Sequence, residues 1–175
     1  MRTTLCLSFA VLLAVPALVD AQTPASDPIA ESIRNTWSTA KRNITESAEQ
    51  MAEADYAFKP VDTVRSFGEI LAHIAGANYV ICAPARADKT EYAEDRIEKT
   101  AKTKAEIVKA LNESLAYCDA AFNALTDKTA AETVLPNVAR AQRLIGNTVH
   151  LQEHYGNLVT YFRIKGMVPP SSNRR

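Results

Sequence analysis

Apolar residues recur at three- and four-residue steps through four stretches of the chain and fall out of step between them. In the first stretch Ile29, Ile33, Trp37, Ala40, Ile44, Ala48 and Met51 line one side of a helix. Asp27 stands where an N-cap is expected, with Pro28 at the first helical position. Trp37 falls mid-stripe and reads as core. The second stripe is Phe67, Ile70, Ile74, Ala77 and Ile81, following Ser66-Phe67-Gly68-Glu69, which has the capping-box form. It predicts a helix over 67–83 that Pro84 ends. The third carries Ile107, Leu111, Leu115, Cys118, Phe122 and Leu125 behind a second capping box, Thr103 to Glu106. The fourth runs from Val138 to Lys165 about Leu144, Leu151, Tyr155, Leu158 and Phe162. Gly166 fits its C′ position, and Pro169-Pro170 prevents continuation.

The segments between these helices differ in kind. Residues 52–65 hold Tyr56, Phe58 and Pro60, too apolar for a solvated linker, and are expected to pack over one end of the domain. Residues 86–102 mix charges of both signs without an apolar period, which predicts a long, exposed, locally ordered crossover with no function of its own. Residues 126–136 read as a polar connection. No stretch alternates with the period of a strand, and none repeats. The fold class is therefore all-α: a four-helix bundle whose long crossover between helices two and three lets that pair run parallel. A chain of 175 residues, 47% hydrophobic, suits one such domain.

The N-terminus stands apart from this pattern. Arg2, the apolar run Leu5 to Leu18 and the small-residue site before Gln22 form a signal peptide over 1–21. The mature chain, 22–175, is then expected in the periplasm or outside the cell, without a stable membrane anchor. Cleavage removes Cys6 and leaves Cys82 and Cys118. In an oxidising compartment they can form a disulfide; two buried free thiols are the other reading.

Formal net charge is zero, so nothing suggests a nucleic-acid partner. The candidate chemistry lies in the three histidines. His150 and His154 are four apart, on one face of the last helix, where two imidazoles can reach one ion. His73 sits on the flank of the second helix's apolar stripe and points partly inward. A site of His73, His150 and His154 with open coordination positions follows if the two helices face one another. The zinc-protease form is absent, because Leu151 follows His150 where a glutamate would stand. Imidazoles without thiolates suit a divalent transition metal, zinc or nickel foremost, with iron and copper also compatible. Glu153 lies away from the core and reads as a surface carboxylate. Asn147 is on the histidine side and is the expected partner of a ligand ring.

Several stretches also resemble the DinB/YfiT-like family of metal-dependent bundle proteins. They are Phe58-Lys59-Pro60, the run from Val64 to Ala75, the run from His154 to Arg163, and the tail from Gly166 to Ser172. The resemblance covers about Ile29 to Ser172. It implies a four-helix bundle with one histidine from the second helix and two, four apart, from the last, which His73, His150 and His154 match one for one. Members of known activity are mostly thiol-dependent transferases and an isomerase, in which the metal activates a small thiol. Export departs from that setting, since cytosolic thiols are scarce outside the cytoplasm. Two functions follow: an exported metalloenzyme, hydrolase- or thiol-transferase-like, acting on a small molecule, or a non-catalytic bundle that binds metal or a small ligand. A homodimer remains open.

Overall fold

The computed structural model describes residues 27–89 and 91–173; the expected signal peptide, 1–21, lies outside them. In chain order the elements are α1 (Pro28–Gln50), α2 (Phe67–Ala85), α3 (Arg96–Thr100), α4 (Lys104–Asn123), α5 (Asp127–Ala130), β1 (Thr133–Leu135), β2 (Val138–Ala139) and α6 (Arg140–Ile164). Four long helices, α1, α2, α4 and α6, form the body, so the chain is an all-α bundle.

Pairs of contacts fix the direction of each helix. Along α2 and α4, Gly68 meets Ile107, Asn78 bonds Ser114 and Cys82 joins Cys118, so these neighbours run parallel. Along α2 and α6 the order reverses: Phe67 packs edge-on to Phe162, and Arg140 donates to the Ala85 carbonyl. Helices α1 and α4 are antiparallel, with Lys104 at the Met51 carbonyl and Arg34 at that of Leu125. The result is up-down-down-up, the arrangement the long crossover permits.

Both capping boxes form. Ser66 Oγ accepts from the Glu69 amide while the Glu69 carboxylate accepts from the Ser66 amide, and Thr103 and Glu106 do the same. Gly166 takes φ +71°, the left-handed geometry of a helix stop. Trp37 is core as expected, stacked on Phe122 at 4.3 Å with its indole N–H donating to Asp119. Tyr56 is buried against Phe67 and Phe58 lies edge-on to Tyr161, so 52–65 does close one end of the bundle. Cys82 and Cys118 are joined in a disulfide, their Cα atoms 5.5 Å apart, which decides between the two readings left open above.

Other expectations need correction. Ile29 points outward, 59% exposed, although it keeps the helical spacing. Pro84 does not end α2 but sits in its last turn. Proline has no N–H to give the Val80 carbonyl; Arg143 of α6 supplies that donor at 3.0 Å and a second to Ile81 at 3.1 Å. The polar connection holds α5 and a two-stranded hairpin, and the last helix starts at Arg140, two residues late. Asp27 does occupy the N-cap position, yet its carboxylate does not bond its own helix. It accepts from the Asp127 amide, and the Asp127 carboxylate accepts from the amides of Ile29 and Ala30. The crossover is largely exposed, as expected, but it is anchored: Tyr92 stacks on Tyr79, Ile97 packs on the core, and the Glu94 carbonyl rests on α2 at Gly76, where a Cβ would overlap it.

Candidate metal centre

The antiparallel register of α2 and α6 places the histidines. It is pinned at one end by Phe67 against Phe162 and at the other by Arg140 and Arg143 on the last carbonyls of α2. His73, near the middle of α2, therefore faces the middle of α6, where His150 and His154 stand one turn apart. His73 and His154 are buried, and His150 is half-buried.

The rings meet through their inner nitrogens. His150 Nε2 lies 3.1 Å from His73 Nε2 and 3.1 Å from His154 Nε2. The candidate ligand atoms of the three residues all fall within 4.8 Å of one another. Two nitrogens bound at about 2.0–2.1 Å to one ion stand roughly 2.9–3.4 Å apart for angles between square and tetrahedral, so the set fits a shared ion. A single proton could satisfy only one of these nitrogen pairs at a time; a cation would satisfy all three.

The electrostatics agree with that use. Burial pushes all three imidazoles below the ordinary histidine range, His154 to about 4. Neighbouring rings add to this for His150 and His154, and the Arg65 cation adds for all three. Glu94 and Glu153 act in the opposite sense on His73 and His150. Near neutral pH the rings are uncharged, the form in which histidine ligates.

His154 also lines a cleft of about 720 Å³, walled by the 59–65 connection, Glu98 of α3 and Tyr161 of α6. The Tyr161 hydroxyl donates to the Arg65 carbonyl at 2.7 Å, tying that wall together. A ligand-sized space therefore adjoins the histidines.

All three sequence-predicted histidines come together; Asn147 does not join them. Its amide Nδ2 lies 3.5 Å from each sulfur of the Cys82–Cys118 bridge, deep in the core. Glu153 is exposed, as expected, and touches the site only through its charge. Sequence reasoning missed Glu94 and Glu98, whose carboxylates stand 3.4 and 4.0 Å from His73 Nδ1. Their segment has no period that could have announced an inward role; the scarce glycine at Gly76, inside a helix, was the one available signal of a close approach.

The sequence model of the DinB superfamily matches residues 36–158 of this chain. Among solved structures, that of a conserved protein from Enterococcus faecalis superposes with a TM-score of 0.60 at 15% identity, over 74% of this chain and 92% of that one. That likeness is one of fold. No curated protein matches the chain.

Proposed function

The chain belongs to the DinB superfamily, and from that premise we propose that it is an exported metal-binding protein in which His73, His150 and His154 hold one divalent ion beside a small-molecule cleft. The observation that carries this reading is the approach of three neutral Nε2 atoms, two pairs of them at 3.1 Å, at the edge of that cleft. Zinc or nickel suits the donors best, with iron and copper also compatible. A bound ion would supply Lewis acidity toward a carbonyl or toward water. The chain's own part is to fix the three rings, keep them uncharged by burial, and shape the space where a small molecule lies. Tyr161 is wall and not proton donor, since its hydroxyl is committed to Arg65. Export is supported by the Cys82–Cys118 bridge, which belongs to oxidising compartments. In that setting a hydrolase- or thiol-transferase-like reaction is the enzymatic form of the proposal.

One observation favours the non-catalytic reading. Two of the three cleft carboxylates are already committed, Glu69 to its capping box and Glu98 to Arg65 at 2.9 Å, while the third, Asp62, points fully into solvent. Protein prepared from an oxidising compartment should carry one equivalent of divalent metal, and a small-molecule substrate panel should show turnover that chelation abolishes. Metal without turnover would leave the binding bundle; no metal would end both versions.

A further inference from the structure

His73 is the one ring of the three whose outer nitrogen meets carboxylates. Its Nδ1 stands 3.4 Å from Glu94 Oε1 and 4.0 Å from Glu98 Oε2. The outer nitrogens of His150 and His154 are buried and have no hydrogen-bond partner among the described residues. Both glutamates come from the crossover, and two contacts hold that segment in place. The Glu94 carbonyl rests on Gly76, three residues beyond His73 on the same side of α2. Glu98, one turn further on, is held by Arg65 Nε at 2.9 Å. The crossover is thus pinned on both sides of the ring it overlies.

An imidazole facing a carboxylate through Nδ1 carries its proton there, which leaves the Nε2 lone pair free and sets the plane of the ring. We propose that Glu94 is a positioning residue: reaching in from the crossover, it fixes His73 as the Nδ1–H tautomer and aims its Nε2 lone pair at the point shared by His150 and His154. The inference rests on reading the three histidines as a metal site, and it makes the affinity of that site a property of the crossover as well as of the bundle. Glu98 has the lesser part, since Arg65 occupies it and it stands farther off.

The tautomer can be read without metal. In chelator-treated, 15N-labelled protein near pH 7.5, long-range proton–nitrogen spectra should show His73 protonated at Nδ1. In Glu94→Ala, a change at a half-exposed side chain, His73 should move toward the Nε2–H form. Cobalt(II) affinity, followed by visible absorption, should fall about 10–100-fold. Glu94→Gln keeps an oxygen that can accept the proton and should restore most of the wild-type tautomer. Gly76→Ala, which displaces the Glu94 backbone, should resemble Glu94→Ala. An unchanged His73 tautomer in Glu94→Ala overturns the proposal. Wild-type protein that binds no cobalt overturns the metal reading, and the tautomer then still judges the role of Glu94.

Discussion

The guanidinium of Arg143 donates to the carbonyl of Val80, the group that Pro84 leaves without its helical donor. A proline is thereby kept inside α2, and α6 is locked to α2 close to the histidines. Removing the arginine side chain strands partly buried carbonyls, at a cost of roughly 1–3 kcal/mol. Arg143→Ala should therefore unfold at lower denaturant. In a Pro84→Ala background the same change should cost clearly less, because α2 then supplies its own donor. Equal losses in the two backgrounds, measured as a double-mutant cycle, would contradict this account.

The histidine centre should make stability depend on metal. A ligand bound only by the folded state adds roughly 2.7 kcal/mol at a free concentration 100-fold above its Kd. Zinc or nickel should raise the unfolding temperature of chelator-treated wild type. His73→Ala, His150→Ala and His154→Ala should each lose most of that rise and bind far less metal after dialysis. Full retention by all three variants would refute the assignment.

Acid should destabilise the metal-free protein in a defined window. A ring whose folded pKa lies below its unfolded value gains its proton more readily once the chain unfolds, so stability is full above the unfolded value and falls with pH below it. Buried His154, also depressed by His150, His73 and Arg65, moves from 6.5 to about 4. Between those values it should remove on the order of 3 kcal/mol, with His73 and His150 adding losses of the same sign. Urea melts across this range should show the decline. A His154→Phe variant should flatten it, and an undiminished slope there would point to other groups.

The bridge between Cys82 and Cys118 closes a loop across the crossover, with a sequence separation of 36 residues. In the chain-entropy model such a link is worth about 3–4 kcal/mol. Denatured, unreduced protein should show no free thiol at Cys82 or Cys118. Reduction should lower the denaturation midpoint and speed proteolysis of the crossover, while two free thiols in untreated protein would exclude the bond.

The sequence made local features readable and left distant ones hidden. Ser66 with Glu69, Thr103 with Glu106, and Gly166 act within one or two turns, so their spacing alone announced them. The histidines were legible because helical period places a residue around an axis. That period does not place it along the axis: Asn147 shares a side with His154, yet its amide meets the two sulfurs of the disulfide. Pro84 ends a helix by any local rule, and only Arg143, 63 residues away from Val80, changes the outcome. Glu94 was invisible for a similar reason, since a charged segment without period gives no sign of the helix it will lie upon.

The exchanged caps of Asp27 and Asp127 bear on the order in which the chain can finish folding. The amides that open α1 are served by a carboxylate about a hundred residues downstream, and Asp27 in turn serves the amide there. During synthesis the first helix emerges long before Asp127 does. The two helix starts therefore differ: α5 is closed by its own Thr126–Thr129 box, whereas the side-chain acceptor for the first amides of α1 is in place only once the segment after α4 has docked.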